Sequence, residues 1–232
     1  MRLLFASAAV ACLLGCAPRA ALTPSERGAV LRDARTEGER WLEVSVRPYH
    51  LADGTDVPAL APLPPPEWEI GGHSPPAGQV LEGIIPAGTP ARIVRIDFPV
   101  GPFGEKTRHR DTYVRLQLNK QTEAVLIIDG ALGSESRFWD EVDLWLTPLP
   151  PAAAEEGWNE AVRAAVKEKR TLSEMPPEAV VAAWGYPRTR VVHFSANGRR
   201  ESWSWPGGLR TADFQDGRLA ESRAPDASGT GP

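Results

Sequence analysis

Four histidines, two cysteines and several paired acids are the residues of this chain that could do chemistry. His50, His73, His109 and His193 share no repeated spacing. A zinc site would need cysteine and histidine ligands at short fixed intervals, and none are written here. No Gly-x-Ser-x-Gly elbow occurs, and Gly133-Ser134-Glu135-Ser136 reads as the start of a helix instead. The acid pairs Asp140-Glu141 and Glu155-Glu156 fall on predicted helices, where adjacent positions point apart. There is no phosphate loop. The residues therefore predict no catalytic group, no metal and no cofactor, and the chain is read as a non-enzymatic protein.

Cys12 and Cys16 carry a different message. Arg2 supplies a minimal positive start, and Leu3 to Leu14 form an apolar or small-residue run. That run has the length of a signal-peptide core and is too short to span a bilayer. It ends in Leu13-Leu14-Gly15-Cys16, which resembles the bacterial lipobox, although Leu14 stands where a small residue is usual. The resemblance implies cleavage before Cys16 and acylation of its sulfur, with 1–15 as signal peptide. An ordinary secretory signal is the other reading of the same run. Cleavage would remove Cys12 and leave a single thiol, so no internal disulfide could form. Two or three acyl chains at about 0.8 kcal/mol per buried methylene give stable anchoring. Ala17 follows the cysteine and no retention aspartate stands there. By resemblance to lipoproteins of two-membrane bacteria, this implies the periplasmic face of the outer membrane. Loss of residues 1–15 removes Arg2 and no acid, so the net charge of −4 becomes one unit more negative. Nucleic acid is accordingly not an expected partner.

The 232 residues suffice for one large domain or two small ones. Thr23-Pro24-Ser25-Glu26 is a capping box that opens a helix expected to run to about Arg40, so 16–42 reads as tether and helix. Glu43–Tyr49, Val80–Ile85, Ala91–Phe98, Tyr113–Leu118 and Ala124–Ile128 read as short strands. An irregular stretch, 53–79, holds Trp68 and Ile70. A helix capped at Ser134 or Ser136 runs to Leu146, and Pro148, Pro150 and Pro151 mark a boundary. The run Gly83-Ile84-Ile85-Pro86-Ala87-Gly88-Thr89, followed by Arg92 to Ile96, resembles the Src-homology-3-like barrels of bacterial envelope proteins. For 43–148 this implies a small β-barrel-like module.

Residues 153–221 predict a second module. A helix over 153–170 carries Trp158, Val162, Ala165 and Val166 on one stripe. Another runs from Pro176 to Gly185, whose glycine and the following Pro187 stop it. Val191–Ala196 and Arg199–Trp205 form a hairpin about Asn197-Gly198, with Val192 expected opposite Trp203 and Phe194 on the same side. Leu209–Gln215 adds a third strand, and Arg218–Glu221 a short extension. The fold class is thus α+β, a small barrel-like module followed by two helices and a three-stranded antiparallel sheet. Residues 222–232 are expected to be a disordered tail.

Met175, Val180, Gly185 and Pro187, with Glu201-Ser202-Trp203-Ser204-Trp205 and Asp213 to Arg218, resemble the BamE (SmpA/OmlA) lipoprotein family. Glu174 stands where that family has glycine, and Pro176 replaces its hydroxyl cap. The resemblance implies an interaction or assembly module facing the periplasm, its partners the membrane through acylated Cys16 and an unnamed envelope protein. Related folds bind and inhibit enzymes. A cell-wall or peptide ligand held by the barrel-like module is the alternative. Trp203, Trp205, Arg199 and Arg200 are the candidate interface residues, the two tryptophans being either core or contact surface.

Overall fold

The computed structural model describes residues 21–51, 56–61, 81–98, 111–128, 132–196 and 198–224. Cys16, the expected signal peptide, Trp68, Ile70, His73, His109 and Asn197 lie outside them. So do residues 225–232 of the tail expected at 222–232, whose Ser222 and Arg223 instead belong to the last strand, where they pair with Ala212 and Thr211. The fold is α+β: the described residues form five helices and two sheets, the first a seven-stranded half-barrel, the second four-stranded.

The first sheet has the order β2-β3-β6-β5-β4-β1-β7. Its strands are β1 (Arg40–Leu42), β2 (Arg47–Tyr49), β3 (Ala59–Ala61), β4 (Pro90–Asp97), β5 (Thr112–Leu118), β6 (Thr122–Ile128) and β7 (Leu146–Thr147). All its ladders are antiparallel except β3 with β6. The alternation of Val114, Leu116 and Leu118 puts one face of β5 into the main core, with Leu126 and Ile128 beside them. Helices α1 (Pro24–Arg32) and α2 (Glu135–Asp143) cover that face through Val30, Phe138, Trp139 and Val142.

Local chemistry explains where these elements start and stop. Thr23 and Glu26 make the full capping box that opens α1. The helix ends at Arg32 and not near Arg40, because Asp33 is extended and turns its carboxylate to the Arg35 N–H, starting a short 3-10 turn, Ala34–Thr36. Arg40, where that helix was expected to end, instead opens β1. Ser134, not Ser136, caps α2. The predicted strand Glu43–Tyr49 is split, with Val44, Ser45 and Val46 buried between β1 and β2. Of the predicted strand at 80–85, the described residues 81–85 form no strand: Ile85 bridges to Val46 and Leu81 N donates to Pro48 O.

The second sheet, order β11-β10-β9-β8, comprises β8 (Thr189–Ser195), β9 (Gly198–Ser204), β10 (Thr211–Gln215) and β11 (Arg218–Arg223). It has four strands where three and an extension were expected, because Asp216 (φ 49°) and Gly217 (φ 79°) form a tight turn that pairs Gln215 with Arg218. Over one face lie α4 (Glu160–Lys167) and α5 (Pro177–Trp184). The expected single helix at 153–170 is broken: Pro151 opens a one-turn α3 (Pro151–Ala154), Gly157 takes φ 82°, and Asn159 caps α4 anew. The predicted stripe of Trp158, Val162, Ala165 and Val166 survives the break and is buried.

Ser45 joins the two sheets. Its N–H donates to Ala182 O (2.7 Å), its hydroxyl donates to Val166 O (2.8 Å), and the Ser45 Oγ in turn accepts from Ala87 N (2.9 Å). The Lys169 ammonium, itself buried, donates to the carbonyls of Ser45 and Ala183. One side chain from the β1–β2 connection and one from the end of α4 thus tie the half-barrel to the helices of the second sheet.

Candidate interaction surface

The two candidate tryptophans are core residues. Trp203 and Trp205 are buried and sit in an aromatic stack with Trp184 and Phe214. Trp184 meets Trp205 edge-on at 5.2 Å, and Trp203 packs on Phe214 at 4.5 Å. Their polar ends are satisfied inside: Trp205 Nε1 donates to Gly185 O (3.1 Å), and Trp203 Nε1 donates to Glu201 Oε1 (2.6 Å). Indoles whose faces and N–H groups are both used within the fold offer nothing to a partner, which removes them from the interface.

Glu201 is the centre of what remains. Its side chain is 4% exposed and also accepts from Arg190 through Nε (2.8 Å) and Nη2 (2.6 Å), and from Arg199 Nη2 (2.6 Å). Burial pushes its carboxyl up, but the bonds from Trp203 and Arg190 and the charges of Arg190 and Arg199 outweigh that. The carboxyl therefore ends below its ordinary range. Arg190 lies over the Trp203 ring at 4.7 Å, closing the aromatic core at the sheet edge. Arg199, a predicted interface residue, is thus half-exposed and engaged with Glu201. Arg200 is exposed on the opposite face of β9.

The bare feature is β8. All seven of its residues are exposed, and Val191 (43%), Val192 (40%) and Phe194 (79%) are large apolar side chains among them. The hairpin register explains why these were not expected outside. Ser195 pairs with Gly198, so Val192 faces Glu201 and Arg190 faces Trp203. The shift from the expected register is two residues, which keeps every side chain on its predicted face but slides Phe194 past the end of the aromatic core. A sequence reading that finds the right face still misplaces a residue along the strand.

Other sheet edges among the described residues are closed. On β11, Glu174 N donates to Leu219 O (2.8 Å) and Leu219 N donates to Met175 O (3.0 Å), so the chain before α5 runs along that edge. In the half-barrel, β2 carries Pro48, whose carbonyl accepts from Leu81 N, and β7 is only two residues long.

A small cleft of about 50 Å³ lies at the seam of the two sheets, lined by Trp41, Glu43, Thr147, Glu155, Trp158 and Glu178 among others. It is far smaller than the roughly 300–1,000 Å³ of small-molecule sites. Burial raises the Glu43 carboxyl, against a hydrogen bond from Thr147. Burial and the Glu43 charge raise the Tyr186 hydroxyl. Among the described residues no cluster of three acids, histidines or cysteines could hold a metal ion, and no helix is long and apolar enough to cross a membrane. His50 and His193 are both exposed and far apart in the fold's element order. Comparison with protein families, with curated proteins and with solved structures finds no match.

Proposed function

We propose that this chain is a non-enzymatic lipoprotein, anchored through acylated Cys16 at the periplasmic face of the outer membrane, that binds envelope protein through the β8 edge. The observation that carries the binding reading is Phe194, 79% exposed on an open, unbulged strand. Exposed apolar edge strands are pairing hazards that proteins blunt with charge, proline or cover. Here, among the described residues, the other long edge is covered, while β8 presents exposed side chains along its length. Main-chain pairing along such an edge is an established mode of protein recognition.

The finer layout belongs to the same proposal: a barrel-like first module of the Src-homology-3-like kind, and a helix–helix–sheet second module of the BamE kind. What supports the second is the pair α4 and α5 over an antiparallel sheet, with Gly185 and Pro187 ending the second helix. Support for the anchor is the Leu13-Leu14-Gly15-Cys16 run. Two experiments test the reading. Labelled palmitate should enter the wild-type chain and not Cys16→Ser. Crosslinking pull-down from envelopes should recover partners with wild type and lose them with Phe194→Asp; equal recovery would remove β8 from the function.

A further inference from the structure

We infer that the occupant of the β8 edge is the β8 strand of a second copy of this chain, giving a two-fold dimer with one continuous eight-stranded sheet. This rests on the reading of β8 as the docking surface and adds the identity of the partner. The two edges of the second sheet differ in kind. β11 places Arg218, Glu221 and Arg223 among six residues, has a bulge in its pairing between Asp213 and Phe214, and is lined by Glu174 and Met175. β8 holds one charged residue in seven, Arg190, and that charge is already neutralised by Glu201.

The sequence Thr189-Arg190-Val191-Val192-His193-Phe194-Ser195 is complementary to itself in the antiparallel sense. Centred on Val192, the pairing sets Thr189 opposite Ser195, Arg190 opposite Phe194, and Val191 opposite His193. No like charges meet, which would be destabilising for directly opposed residues. On the core-side face, Phe194 of each copy then lies between its own Arg199, its ladder partner on β9, and the other copy's Arg190. Both flanking guanidiniums are bonded to Glu201 carboxylates, so no unpaired charge is set against the ring. The two Val192 side chains meet on the axis, and the two phenylalanines flank them. One seven-residue strand pair buries less than the roughly 1,200–2,000 Å² of a standard stable interface. The dimer therefore forms where anchoring concentrates the copies on a membrane surface, and dissociates on dilution in detergent.

Disulfide trapping of the full-length chain in intact membranes tests this. In the centred register two residues at position 192 face each other across the axis, while two at 191 lie diagonally apart. Under mild oxidation V192C should give a disulfide-linked homodimer in about tenfold higher yield than V191C or R218C, following the short Cβ separation a disulfide needs. Wild type reports any background from Cys16. Val192 is 40% exposed, so the variant should keep the wild-type thermal midpoint, which checks that it folds. Similar yields from V191C and V192C would overturn the register and with it the proposal. A disulfide between V192C and a different protein would overturn self-pairing while leaving β8 as the docking surface. No adduct at all would overturn both.

Discussion

Replacing Ser45 by alanine should loosen the junction between the two sheets by a calculable amount. The hydroxyl serves two groups. Ala87 N–H, half-buried, loses the acceptor it has in the fold, a cost of about 1–3 kcal/mol for a donor left unmade. Val166 O keeps its bond from Lys169 N at 3.1 Å and loses only the one from Ser45, worth about 0.5–1.5 kcal/mol. The two add to about 2–4 kcal/mol, since Ser45 is fully buried and the alanine methyl replaces neither bond. For a chain of this length each kcal/mol lowers the midpoint by about 2–4 °C, so S45A should melt about 5–15 °C below wild type. The assay is thermal unfolding of the full chain followed by hydrogen exchange of peptides from β5–β6 and from β9–β10. Wild type should lose protection in both together, and S45A should separate them. A midpoint within about 1 °C of wild type, with an exposed-site control such as Ser136→Ala unchanged, would refute the reasoning.

Three further outcomes follow from named contacts. Trp203→Ala should cost about 3–5 kcal/mol in chemical denaturation, because the indole is buried against Phe214 and Trp205; an unchanged midpoint would contradict its core placement. Glu201 has its carboxyl held low in the fold, so it stabilises above the unfolded value of about 4.3 and loses that contribution as pH falls through the folded value. Glu201→Gln should therefore flatten the acid limb of stability against pH, and an acid limb identical to wild type would contradict this. Glu43 has the opposite sign: its raised carboxyl favours the protonated folded state, so stability falls as pH rises from about 4.3 toward the folded value. Glu43→Gln should be more stable than wild type at pH 7 in urea titrations, and a less stable variant would show that the Thr147 contact matters more than burial.

Local signals carried much of the fold. The Thr23–Glu26 capping box and the strand at Tyr113–Leu118 both stand where short-range chemistry put them. The faces of the second hairpin were legible too, since a two-residue slip preserves parity. What local pattern could not fix was position along a ladder. That is decided by the fit of Arg190 of β8 over Trp203 of β9, and by Glu201 of β9 accepting from Arg190 across the ladder and from Arg199 and Trp203 on its own strand. Helix ends were misjudged where one residue acted as a cap: Asp33 stopping α1 and Asn159 restarting the chain after Gly157. The Ser45–Lys169 junction had no sequence signal, because neither residue type announces a partner more than a hundred positions away. The surface was legible only in part. Arg199 and Arg200 were named by their charge and are exposed, while Phe194 was placed only on the Trp203 side of the hairpin, with nothing to mark it as exposed.

Hydrogen exchange of β8 in the acylated full-length chain, on membranes and after dilution in detergent, tests the central claim most directly. Occupation of the edge predicts that peptides covering Thr189–Ser195 exchange slowly on membranes and faster on dilution, while those covering β10 do not change. Equal, fast exchange of β8 in both conditions would mean that nothing pairs with this strand.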